Sequence, residues 1–143
     1  MKVLEIGCGM GNVIEELGCE QYGLDLSPEM LKHCNIQNKT VGDMDALSYP
    51  VYHFDVIFMI MTLQQSLNQN KTVNEVKRYL KKGGQLIIID GDRDSAIGKE
   101  RELKLSEGEW DTCGEAQWLS EEDFPDFKSE HLAPHILVLS KTK

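Results

Sequence analysis

No apolar run in this sequence approaches the roughly 20 residues needed to span a bilayer. Nor does the N-terminal stretch show a signal peptide's succession of basic, apolar and small-residue regions, because Glu5 and the glycines after it interrupt it. Cysteine is unpatterned: Cys8, Cys19, Cys34 and Cys113 form no CxxC, and His33-Cys34 has no second ligand pair close by, which argues against a structural zinc site and for reduced thiols. Positive charge is short as well. Fifteen Lys and Arg stand against 24 Asp and Glu, a net charge of −9, whereas a protein that tracks a phosphate backbone needs cations to displace counterions. Lys77-Arg78 and Lys81-Lys82 sit together only where a helix is expected to end, a place that favours cations for its own reasons. Repeats and low-complexity segments are absent. These absences leave a single cytoplasmic domain, 1–143, long enough to bury about two-thirds of the surface its unfolded chain exposes.

What is present is an alternation of short β-branched runs with helical patterns, the signature of an α/β chain with a mostly parallel sheet. Strands are expected at Lys2–Ile6, Tyr22–Leu26, in "NKTVGD", at Phe54–Met61, in "QLIIID", and in "FKSEHLA" and "HILVLSK", the last two as a closing antiparallel pair. Phe54–Met61 is apolar enough to be a central strand buried on both faces. A first helix is expected from Gly11 to Gly18. A second is expected to open at Ser27-Pro28, with Ser27 as its cap and Pro28 where a missing N–H costs nothing. A third is expected over Asn68–Lys82, stopped by Gly83-Gly84, and Ser120–Asp123 resembles a capping box. Gly91–Gln117, polar and without periodicity, reads as a long loop on the substrate side.

The most specialised stretch is "VLEIGCGMGN", Val3 to Asn12. A strand that passes through glycines into a helix start brings unpaired N–H groups close to a ligand. A nucleoside triphosphate loop would require Lys-Ser or Lys-Thr after Gly11, which is missing. A dinucleotide fingerprint would require glycine at Asn12, so a nicotinamide-dependent oxidoreductase is set aside. The spacing present is Gly7-x-Gly9-x-Gly11 behind Glu5, with one acid, Asp25, ending the second strand and another, Asp43, after the third. A carboxylate at Asp25 can take both hydroxyls of a ribose.

In order and spacing, "VLEIGCGMGN", "YGLDLSPEML", "VGDMDALSYP", "FDVIFMIMTLQQ" and "LKKGGQLIIID" resemble the class I S-adenosylmethionine-dependent methyltransferases, in the branch that includes small-molecule methyltransferases. The resemblance is strong over residues 1–90 and looser over 118–143. It implies a Rossmann-like, doubly wound seven-stranded sheet, mostly parallel, with an antiparallel C-terminal strand and helices on both faces. It also implies S-adenosylmethionine as cofactor, passing over Gly7, Gly9 and Gly11. Glu5 would orient that loop, Asp25 would bind the ribose and Leu26 would pack on the adenine. Asp43 would accept from the adenine amino group, Met44 would face the ring edge, and Met59 would offer its carbonyl to the methionine amino group.

Departures from the family pattern bear on the reaction. Many relatives place histidines after the fourth strand, where this chain has Leu63-Gln64-Gln65; Gln64 can contact a substrate but cannot act as a base. The Asn/Asp-Pro-Pro-aromatic motif of amino-group DNA methyltransferases is missing. Relatives usually carry helices before the first strand, whereas here only Met1 precedes it, so the cofactor edge is expected to be open. A stripped core, a fragment, or a partner or second copy that supplies the lid are the three explanations. Asp92, Arg93 and Trp110 are the further substrate-side candidates. "DGDRD", Asp90–Asp94, looks like the start of a calcium loop, but Ser95 replaces the required glycine and Arg101 the required Glu. The leading expectation is methyl transfer to a small-molecule acceptor, chiefly by positioning. The alternative is a non-catalytic or partner-dependent cofactor-binding module.

Overall fold

The computed structural model describes residues 1–11, 13, 14, 17–108 and 116–143. Its seven strands are β1 (Lys2–Ile6), β2 (Glu20–Asp25), β3 (Asn38–Val41), β4 (Phe54–Ile60), β5 (Leu80–Gly91), β6 (Lys128–Ala133) and β7 (Ile136–Thr142). They form one sheet in the order β3-β2-β1-β4-β5-β7-β6. The first five are parallel, β7 runs antiparallel to β5, and β6 returns antiparallel to β7. The chain winds outward in one direction from β1 to β3 and in the other from β4 to β5. The strand order therefore reverses between β1 and β4, and a parallel sheet opens a crevice beyond the carboxyl ends of its strands at such a point.

Side chains alternate across the sheet, and its two faces are covered unequally. Leu4, Ile6, Ile57, Met59, Leu86 and Ile88 point to one face, where they pack with Val73 and Val76 of helix α2 (Gln69–Val76) and with Leu119 and Phe124. Val3 points to the other, with Ile14, Leu31, Cys34 and Ile36 beneath helix α1 (Pro28–Lys32). On that second face Val56, Phe58 and Ile60 of β4 remain half-buried, so this strand is not sealed on both sides as its composition suggests. Where a first helix is expected, the described residues form turns and bends, and Val13 and Leu17 are exposed.

Other boundaries moved for identifiable reasons. α1 is capped as expected, Ser27 Oγ accepting from the Met30 amide at 3.3 Å, but it ends at Lys32, short of Cys34. α2 ends at Val76 and tightens into one turn over Lys77–Tyr79, because the Tyr79 hydroxyl turns inward to donate to the Leu47 carbonyl at 2.8 Å. β5 then begins at Leu80, which pairs with Phe54, and Lys81–Gly84 loops out before Gln85 takes up the register against Val56. Lys81 and Lys82 thus lie in a strand rather than at a helix end. Among the described residues of 91–117 is helix α3 (Ala96–Ser106), capped by Ser95 Oγ, which accepts from the Gly98 amide at 3.0 Å.

Candidate functional site

The glycine loop must turn back on itself between the end of β1 and the level of β2. Gly7 and Gly9 make that turn with φ of +73° and +53°, a region costly for residues with a Cβ. Gly7 is also closed to side chains by contact, since a Cβ there would lie 2.1 Å from Thr62 Oγ1. Gly11, also left-handed, packs against Cys34 and Ile36. The loop is laced to the end of β2. The Gly7 and Cys8 amides both donate to the Leu24 carbonyl, at 2.7 and 3.1 Å, and the Gly9 amide donates to Asp25 Oδ2 at 2.8 Å. Asp25 Oδ1 takes the Ser27 amide at 2.8 Å. One carboxylate thereby orients both the glycine loop and the start of α1. Each of its oxygens keeps a lone pair for a further donor.

Beside this lacing lies a crevice of about 420 Å³, lined by Ile6, Gly7, Gly9, Leu24, Asp25, Leu26, Met30, Gly42, Asp43, Met44, Met61, Thr62 and Gln65. Of the residues singled out from sequence, the fold gathers Gly7, Gly9, Asp25, Leu26, Asp43 and Met44 around this space. Leu26 is 70% exposed, an apolar side chain standing free at the crevice edge. Asp43 is exposed and uses Oδ1 to accept from the Asp45 amide at 2.9 Å, which shapes the turn after β3.

Other residues singled out from sequence lie outside this lining. Met59 is one: its side chain is wholly buried and it pairs with Ile6 and Ile88 near the carboxyl end of β4. The strand continues to Ile60, and the residues that emerge are Met61, in a left-handed conformation with φ +50°, and Thr62. Gln64 is buried and outside the lining, its backbone amide donating to Asp90 Oδ2 at 3.1 Å and its side-chain NH₂ to the Met61 carbonyl at 3.3 Å, and its neighbour Gln65 lines the wall instead. Glu5 does not line the crevice either. It lies buried under the loop, accepts from the Ile14 backbone and leaves Oε2 without a partner among the described residues; burial pushes its carboxyl up to about 7. Asp92 is drawn to His131, with Oδ2 and Nε2 2.9 Å apart, and Arg93 pairs with Asp123 at 3.1 Å, so neither lines the crevice. Trp110 lies outside the described residues.

The acids of "DGDRD" face different ways: Asp90 toward the turn at 62–64, Asp92 toward His131, and Asp94 toward the Ser120 hydroxyl. Met30, Met61, Thr62 and Gln65 escaped the sequence reading. The last three sit two to six residues past Met59, where the fourth-strand contact is expected, a shift that apolar patterning does not resolve.

The methyltransferase-domain family profile matches residues 4–88, more than half of the chain. An uncharacterised protein of Methanocaldococcus jannaschii is 35% identical over 103 residues, covering 71% of this chain and 50% of that one. A malonyl-[acyl-carrier protein] O-methyltransferase of Enterobacter lignolyticus is 30% identical over 101 residues, covering 66% and 40%. The chain thus spans about half the length or less of these curated relatives. Among solved structures, an S-adenosylmethionine-dependent methyltransferase of Thermotoga maritima superposes with a TM-score of 0.80 at 22% identity, over 99% of this chain and 82% of that one. The two share a fold, and with the profile match the chain belongs to the class I methyltransferases, whose cofactor is S-adenosylmethionine.

Proposed function

We propose that this chain binds S-adenosylmethionine in the crevice between the glycine loop, the end of β2 and the exit of β4, and passes its methyl group to a small-molecule acceptor. The observation that carries the reading is Asp25. Its carboxylate stands at the crevice at the end of β2, is fixed by the Gly9 and Ser27 amides, and has capacity left for two ribose hydroxyls. The rest of the lining suits the same ligand. Leu26 and Met30 offer an apolar bed for adenine, the exposed Asp43 can accept from its amino group, and the backbone of Gly7 and Gly9 lines the space left for the methionine portion.

When bound, S-adenosylmethionine supplies a methyl group already activated by its sulfonium. The protein's task is to hold an acceptor atom in line with it and to keep water away. We assign no general base, because Gln65 at the crevice wall cannot act as one and an acceptor that is unprotonated at neutral pH needs none. The acidic chain and the small crevice favour a small acceptor over a nucleic acid.

Calorimetry with S-adenosylmethionine, S-adenosylhomocysteine and NAD tests the reading. The adenosyl ligands should bind and NAD should not, and Asp25→Ala should weaken binding by about 1–3 kcal/mol, the usual loss for hydrogen bonds to a charged group. Binding of NAD alone would overturn it. A second reading is favoured by the rim, where Leu26, Met30 and Met61 are 70%, 47% and 41% exposed: a partner protein or second copy would cover this edge and complete the acceptor site. In that case the isolated chain binds cofactor but turns over no small acceptor until the partner is added.

A further inference from the structure

Asp90 is wholly buried at the carboxyl end of β5, and no part of it lines the crevice. Its carboxylate accepts from the Gly91 amide at 2.9 Å and the Gln64 backbone amide at 3.1 Å, and the Thr62 and Leu63 amides lie near enough to favour its charge. Gln64, Leu63 and Thr62 belong to the turn by which the chain leaves β4. That turn opens with Met61 at φ +50°, a conformation that costs a non-glycine residue free energy and persists only when its surroundings enforce it. The Met61 amide is tied to the Ile89 carbonyl at 2.8 Å, and Thr62 supplies no side-chain cap to the turn it begins. The turn is therefore tied to β5 at two points, the Met61 amide by the Ile89 carbonyl and the Gln64 amide by the Asp90 carboxylate.

The same turn forms one wall of the crevice, through Met61, Thr62 and Gln65. Thr62 also fills the space beside Gly7 so closely that a Cβ on Gly7 would overlap its hydroxyl. A physical chain thus runs from Asp90 to the Gln64 backbone in the turn that Thr62 opens, from the Thr62 side chain to Gly7, and from Gly7 to the loop that Asp25 holds from its far side. We propose that Asp90 is a positioning residue for methyl transfer, which fixes the Met61–Gln65 turn against the glycine loop and so sets the width of the crevice on its β4 side. The inference rests on the crevice being the cofactor site, with the methionine portion toward β4 and the adenosine toward Asp25 and Asp43.

A carboxylate suits this task better than a neutral cap. Two oxygens with four lone pairs can serve four converging N–H groups, whereas an amide offers one oxygen and turns an NH₂ toward the remaining donors. Burial works against the charge: it pushes the Asp90 carboxyl up to about 6 even though four amides favour the ionised form.

The test compares wild type with Asp90→Asn at pH 8, using calorimetry with two probes, S-adenosylhomocysteine and adenosine. Asp90→Asn should bind S-adenosylhomocysteine at least tenfold more weakly while its adenosine affinity changes less than twofold, because only the β4 side has lost its support. A general loss of structure would weaken both probes alike, and that result, or unchanged affinity for both, overturns the assignment. Failure of wild type to bind either probe would instead remove the cofactor reading beneath it. If Asp90→Asn does not fold, the wild type decides by amide hydrogen exchange. S-adenosylhomocysteine should slow exchange at Leu63 and Gln64 at least tenfold, adenosine should not, and equal protection by the two would overturn the proposal.

Discussion

Glu5 gives the most direct test of how this site's foundations were built. Its carboxyl is buried beneath the glycine loop with one backbone donor and one unpartnered oxygen, and is raised from 4.5 to about 7. Between those two values the folded chain holds a proton that the unfolded chain has released. Stability from this group is therefore fully present below about pH 4.5 and is lost as pH rises through about 7. At 1.36 kcal/mol per pH unit between the two values, the loss amounts to about 3 kcal/mol at pH 8. Asp90, raised from 3.8 to about 6, adds a loss of similar size and the same sign over a lower window. Glu5→Gln keeps an acceptor for the Ile14 amide and never ionises. It leaves an amide NH₂ without an acceptor, which costs about 1 kcal/mol. The variant should therefore be more stable than wild type by about 2 kcal/mol at pH 8 and less stable by about 1 kcal/mol at pH 4.5. Urea unfolding at the two pH values measures both numbers. A variant that tracks wild type in parallel across pH would show that Glu5 is ionised in the folded protein, and the account of its burial would be wrong.

Other outcomes follow from the same geometry. Gly7→Ala should lower stability by about 1–3 kcal/mol, through its left-handed backbone and its collision with Thr62; Thr62→Ala in the same chain should recover part of that loss but not all, as thermal melts of the two variants would show. Ser27→Ala should cost about 1 kcal/mol as a lost helix cap, and urea unfolding that returned wild-type stability would refute the cap. Arg101→Leu removes a buried guanidinium that donates to the Ala116 carbonyl at 2.7 Å and lies 5.2 Å from the Trp118 ring centroid. Its thermal midpoint should fall, with Trp fluorescence shifting toward a solvated indole, and an unchanged emission spectrum would argue against the stacking.

How much of this was legible in the sequence depends on what kind of signal each element carries. The strands were readable because β-branched runs bounded by glycine or polar turns have few other outcomes, and the capped start at Ser27-Pro28 was readable because caps use few residue types. α3 was not. Ile97 and Leu103 are exposed, and the positions it buries are Gly98 and Arg101, so the helix shows no apolar stripe. The cap at Ser95 was visible in principle, but a cap without periodicity does not announce a helix. At the site, Asp25 and the glycines stood out because each has a backbone reason to be there. Met59 and Gln64 lie outside the crevice lining because β4 ends at Ile60 and the turn after it, through Met61, Thr62 and Gln65, supplies the wall, and apolar patterning does not mark where a strand gives way to a turn. Asp90 was overlooked because its role depends on an amide cluster from another strand, and nothing in the local sequence records that convergence.

One feature of the sheet reaches beyond the folded state. β1, which carries the glycine loop, has no partner close to it in sequence. Lys2 pairs with Glu20 on one side, and Val3 with Val56 on the other. Each pairing is parallel and must close a loop before it gains any hydrogen bond, so assembly around this strand is non-local. Until Phe54–Ile60 docks, the apolar residues of β1 have only one neighbouring strand to shield them. Refolding should accordingly be slow and concentration-sensitive, and a ligand that bridges the glycine loop and β4 would accelerate it only if the two already meet in the transition state.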